Sequence, residues 1–116
     1  MVHILVTNRR MEVCSLEFSE QRLGGRVALI TGAGSGIGRA ISVRCAKEGA
    51  DILVNDINLG GANETAKMIR ELGREALVIR ADVGNSAEVE AMVEKAYNEW
   101  GRIDILVNNA GISGFA

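Results

Sequence analysis

Residues 26–38, "RVALITGAGSGIG", restrict the fold more than any other stretch. "RVALIT" (26–31) is a short, nearly continuous apolar run, the pattern of a strand buried on both faces. A glycine-rich turn follows directly. After it, Ile37, Ala40, Ile41 and Cys45 recur at helical spacing until Gly49 ends the helix. Such a turn leaves the unpaired N–H groups and the positive dipole end of a helix facing outward, a setting that suits an anion. The spacing is T-G-x-x-x-G-x-G, not G-x-G-x-x-G. Gly32 permits the sharp turn off the strand. Gly36 lets backbone N–H groups approach a pyrophosphate with no Cβ in the way, and Gly38 lets the helix lie close to the sheet. Ser35 adds a hydroxyl, as donor or cap. No Gly-Lys-Ser/Thr follows, so a Walker phosphate loop is excluded.

The strand-then-helix pattern repeats. "DILVN" (51–55) reads as a second strand. Residues 60–72 are helical, with Ala62, Ala66, Ile69 and Leu72 inward and Gly73 closing. "EALVIR" (75–80) is a third strand. Asn85 or Ser86 caps a third helix that turns Val89, Met92, Val93 and Ala96 inward and carries Glu88 and Glu90 near its positive end. "IDILV" (103–107) is a fourth strand. The order βαβαβαβ predicts an α/β fold, a parallel sheet with helices on both faces. Residues 25–116 form this domain. Residues 1–24 lack a sustained period and read as a mobile extension, with pairing as an extra edge strand the lesser alternative.

Two acids fall at successive strand ends. Asp56 follows the second strand, twenty residues after Gly36, a spacing that suits a carboxylate on adenosine ribose hydroxyls. A 2′-phosphate there would be repelled by roughly 4 kcal/mol at 4 Å and an effective dielectric near 20, before screening. NAD is therefore expected over NADP. Asp82 and Val83 follow the third strand at the same level, where an adenine ring would find an acceptor and an apolar edge.

Composition narrows the partners. A net charge of −2 gives no case for nucleic acid or an anionic membrane surface. No apolar stretch nears the roughly 20 residues that span a bilayer. One His and two Cys, Cys14 and Cys45, fit no metal spacing. Unpaired thiols and the lack of a secretory signal point to the cytoplasm.

Taken together, "GRVALITGAGSGIGRA", Asp56, "ADV" (81–83) and "GRIDILVNNAGI" (101–112) resemble the short-chain dehydrogenase/reductase family, classical type, over residues 23–113. The resemblance implies a Rossmann-type sheet and a nicotinamide dinucleotide cofactor. It implies cofactor contacts at Gly32, Ser35, Gly36, Ile37, Gly38, Asp56, Asp82, Val83, Asn109, Ala110 and Gly111, with Asn108 bracing neighbouring backbone. The family's chemistry uses a Tyr-x-x-x-Lys pair with a Ser, in which the Lys lowers the Tyr pKa. No such pair occurs here: Tyr97 is followed four residues later by Gly101, and Ser113 comes too soon after the turn. The expected reading is the NAD-binding half of an oxidoreductase acting on alcohol or carbonyl groups, truncated and inactive alone, with no catalytic residue and an unknown substrate. A non-catalytic NAD-binding or interaction module is the alternative. The fourth strand is expected to leave an apolar edge open to self-association, unless the extension folds across it.

Overall fold

The computed structural model describes residues 3–6 and 22–109. Its elements run β1 (His3–Val6), β2 (Val27–Ile30), α1 (Gly36–Lys47), β3 (Asp51–Asn55), α2 (Leu59–Glu71), β4 (Ala76–Ile79), α3 (Ser86–Trp100) and β5 (Ile105–Asn108). The strands make one sheet in the order β1-β5-β2-β3-β4. β5, β2, β3 and β4 are parallel, and β1 is antiparallel to β5. The Rossmann-like βαβαβαβ pattern thus accounts for β2 through β5.

The apolar runs form strands because both of their faces are covered. Ala28, Ile30, Ile52, Val54 and Val107 pack with Ala46 of α1 and with Ala62 and Ile69 of α2. Their strand neighbours Val27, Leu29 and Leu53 point the other way, onto Met92 and Ala96 of α3. The α1 and α2 crossovers carry the chain from β2 out to β4. The α3 crossover returns it over the opposite face to β5, on the far side of β2. The chain therefore reverses its winding between β2 and β5, which is where open α/β sheets leave a crevice.

Three expectations need correction. The buried line of α1 is Gly38, Ser42 and Ala46, whereas Ile37 is 60% exposed and Ala40 is exposed. Gly38 seats the first turn of α1 on the strand end, which sets the rotation of everything after it. Ser42 tolerates burial because its hydroxyl donates to Gly38 O (2.8 Å). In α2, Leu72 is an exposed C-cap residue, and Thr65 takes a buried place instead. Finally, the β5 edge is not open. β1 pairs along it from His3 opposite Asn108 to Val6 opposite Ile105, so the backbone groups of β5 on that side have partners and β1 becomes the edge strand. The lesser alternative for the extension holds at 3–6. The rest of the extension lies outside the described residues, apart from Arg22, Leu23 and Gly24.

Candidate functional site

The crevice at the winding reversal is built from the ends of β2 and β5. Thr31, the residue after β2, is buried. Its hydroxyl accepts from Asn109 N (2.9 Å) and aims its proton at Val107 O and Asn108 Oδ1 (3.4 and 3.3 Å). Asn109 also donates from Nδ2 to Gly32 O (3.3 Å). The Asn-Asn turn is thereby tied to the glycine turn, with the Asn108 side chain facing the Thr31 hydroxyl. Ala110 and Gly111 lie outside the described residues.

The glycines divide by task. Gly32 turns the chain off β2 at φ +63°. A Cβ on Gly38 would lie 2.0 Å from Gly32 O and 2.7 Å from Asn109 Nδ2, so only glycine allows the contact. Gly36, the first residue of α1, is exposed at φ +55°, and a Cβ there would meet nothing within 4 Å. Ser35 is the N-cap of α1, yet its side chain makes no capping bond. An open cradle therefore lies in front of the positive end of α1, with Ser35 and Ile37 exposed beside it.

Asp56 stands at the end of β3 and faces this turn. Its Oδ2 accepts from Gly34 N (2.8 Å) and its Oδ1 from Asn58 N (3.0 Å). Four lone-pair sites on a carboxylate leave capacity beyond these two bonds. Asp82 is exposed, accepting from Gly84 N (2.8 Å) while its own N–H donates to Glu88 Oε1 (3.2 Å). Val83 shares its surroundings with Thr31 and Asn108 of the crevice. It borders an apolar groove of about 330 Å³ between the sheet and α3, lined also by Leu29, Met92 and Leu106. Tyr97 lines the same groove from the last turn of α3 and is half exposed there, whereas Met92 and Ala96 form the buried line of that helix.

Several contributors carry no motif of their own. Asn55 is 1% exposed, and its Nδ2 donates to Ile79 O and Ala81 O (3.0 and 3.2 Å), fixing the chain that leads to Asp82. Thr65 donates to Ala33 O (2.8 Å). Arg39 reaches from α1 to Gly34 O (2.6 Å). The polar residue closing the apolar run "DILVN" was a signal for Asn55, whereas nothing local marks Arg39 or Thr65. Burial, and then the nearby Glu48 charge, push the Cys45 thiol above its ordinary value, so it is no activated nucleophile. Among the described residues, no group of three or more His, Cys, Asp or Glu could hold a metal ion. No helix among them is long and apolar enough to cross a membrane.

Residues 26–116 match the short chain dehydrogenase family. The chain is 44% identical over 93 residues to 7α-hydroxysteroid dehydrogenase of Escherichia coli (strain K12), covering 80% of this chain and 36% of that protein. It is also 44% identical over 89 residues to the short-chain dehydrogenase/reductase homolog YusS of Bacillus subtilis (strain 168), covering 76% of this chain and 82% of that one. A crystal structure of a short chain dehydrogenase/reductase from Burkholderia phymatum in complex with NAD aligns with a TM-score of 0.67 at 36% identity, over 71% of this chain and 29% of that chain. This chain thus spans 36% and 35% of the length of the curated Escherichia coli and Armillaria gallica relatives it matches.

Proposed function

This chain belongs to the short chain dehydrogenase family, and from that membership we propose that it carries the dinucleotide-binding half of an oxidoreductase moving hydride between a nicotinamide and an alcohol or carbonyl group. One observation carries the reading: the exposed N-terminus of α1 at Gly36, where Ser35 makes no capping bond, stands at the winding reversal of the sheet. The NAD complex of the Burkholderia phymatum relative supports the same ligand class. Gly32, Ser35, Gly36, Ile37 and Gly38 hold the pyrophosphate, and Asp56 the adenosine ribose. Asp82 and Val83 border the adenine. Asn109, Ala110 and Gly111 line the nicotinamide side. When bound, the nicotinamide ring supplies the carbon that gains or loses hydride. This chain's own residues bind and orient it and hold the two turns together.

These 116 residues contain no Tyr-x-x-x-Lys, so the chain on its own binds without turnover. The second reading is a non-catalytic NAD-binding or interaction module. Calorimetric titration tests NAD binding. NAD is expected to bind at micromolar concentration and NADP at least tenfold more weakly. No heat at millimolar NAD would sink every NAD-binding reading and leave the interaction module. Asp56→Asn keeps an oxygen for Gly34 N–H while removing the charge, and it is expected to close most of the NAD–NADP gap. Unchanged discrimination in this variant would overturn the role given to Asp56.

A further inference from the structure

The geometry points to Arg39 as a positioning residue for the anion-binding turn: by holding the Gly34 carbonyl against α2, it aims the Ser35 N–H at the cradle. The inference rests on the dinucleotide reading of that cradle. Arg39 lies in the first part of α1, and its guanidinium crosses to α2. Nη2 shares its two protons among Gly34 O (2.6 Å), Glu64 Oε2 (3.1 Å) and Gly61 O (3.2 Å), and Nε donates to Thr65 Oγ1 (2.9 Å). Thr65 passes the hold on to Ala33 O (2.8 Å). Two successive carbonyls of the glycine turn are therefore drawn toward α2. In a planar trans peptide, C=O and the following N–H point in opposite directions. Fixing Gly34 O on Arg39 thus turns Ser35 N–H away from α2, toward the side where the α1 amides open.

The Gly34 residue is pinned on both sides, its N–H by Asp56 Oδ2 and its carbonyl by Arg39. The approach to α2 also needs Gly61, where a Cβ would lie 2.5 Å from Gly34 O. The ion pair with Glu64 is the lesser part of the device. The Glu64 side chain is 72% exposed, and water screens its attraction. The directional fork of the guanidinium is what a lysine could not reproduce, since an ammonium offers a point charge rather than two fixed bonds.

Arg39→Gln, Arg39→Lys and Glu64→Gln in the full chain test the assignment. Three probes are used: ADP, adenosine, and the residual dipolar coupling of the Ser35 amide in the free protein. Arg39→Gln is expected to weaken ADP at least tenfold and to suppress the ADP-induced amide shifts at Ser35, Gly36 and Ile37. Adenosine-induced shifts near Asp56 should persist, and the Ser35 coupling should change. Arg39→Lys is expected to restore part of the ADP affinity, and Glu64→Gln to stay within twofold of the parent. Should Arg39→Gln prove unfolded, the Arg39→Lys and Glu64→Gln comparison decides: a deficit in the first and none in the second supports the assignment. Parent-like ADP affinity in the Arg39 variants, or equal loss of ADP and adenosine, would overturn it. A parent chain that binds neither ADP nor NAD overturns the dinucleotide reading instead. The Ser35 coupling then still decides whether Arg39 orients the turn.

Discussion

Gly38→Ala is expected to destabilise the domain by about 2–3 kcal/mol and to remove dinucleotide binding in the same step. The added carbon would sit 2.0 Å from Gly32 O and 2.7 Å from Gly32 C. These are backbone atoms of the turn that leaves β2, and no rotamer change moves them. Either α1 lifts off the strand end or Gly32 is displaced, and a 2.0 Å contact with backbone puts the cost at about 3–4 kcal/mol, at and just above the top of the usual overpacking range. Alanine's better helix propensity returns about 1 kcal/mol at most. The new carbon would also press on Asn109 Nδ2, which closes the turn after β5. One substitution therefore disturbs both walls of the crevice. Gly36→Ala is the control. Its Cβ meets nothing, but φ +55° costs a non-glycine residue roughly 1–2 kcal/mol and the methyl enters the cradle. Equilibrium denaturation read beside NAD titration separates the two. Gly38→Ala should lower the unfolding midpoint more than Gly36→Ala, and both should lose affinity. A Gly38→Ala protein with parent stability would mean that α1 is not seated on Gly32.

What the sequence makes legible follows from what is local. The strands from β2 to β5 announce themselves because burial on both faces demands unbroken apolar runs such as Ile52, Leu53 and Val54. Asn85 marks the start of α3 because a cap acts on its nearest neighbours, here Ala87 N and Glu88 N. The glycine spacing is likewise readable, since each glycine answers a constraint within a few residues. The α1 face is misread because Ile37 looks like core by composition. It is instead held out beside the cradle, and small residues, Gly38, Ser42 and Ala46, take the tight contact. The bonds that shape the site mostly join residues far apart in sequence: Thr31 with Asn109, Arg39 with Gly61 and Thr65, Asn55 with Ile79 and Ala81. No periodicity encodes those partners. β1 was hard to read for a related reason, because four residues carry too little pattern to declare an edge pairing with β5.

Asp104→Ala carries the other large expected effect, about 2–3 kcal/mol of stability, at the opposite end of the same strand pair. Asp104 is 4% exposed and extends the β2–β5 ladder below Ala28 and Ile105. Its N–H donates to Val27 O (2.9 Å), and its carboxylate Oδ2 accepts from Val27 N (2.8 Å). Arg102 grips the same carboxylate through Nε to Oδ2 (2.8 Å) and Nη2 to Oδ1 (2.6 Å). Truncation leaves the Val27 N–H buried without its acceptor, a loss of roughly 1–3 kcal/mol. Arg102, with its side chain 48% exposed, regains water and adds less than about 1 kcal/mol. For a domain of this size each kcal/mol moves the melting temperature by roughly 4–8 °C, so a fall of more than about 8 °C is expected. Acid provides an independent reading. Burial raises the Asp104 pKa, but the Arg102 hydrogen bonds, the Val27 N–H, and the Arg102 and Arg26 charges outweigh it and hold the carboxyl below its ordinary value. The unfolded chain then binds the proton more readily than the folded one. The contribution is complete above the ordinary carboxylate range, near pH 4, and is lost as pH falls through the lowered folded value. Asp104→Asn removes that titration. The stability gap between parent and Asp104→Asn should therefore be constant from pH 7 to about 5 and shrink as pH falls below about 4. A gap that widens on acidification would show that Asp104 is protonated in the folded state and that the Arg102 clamp does not govern it.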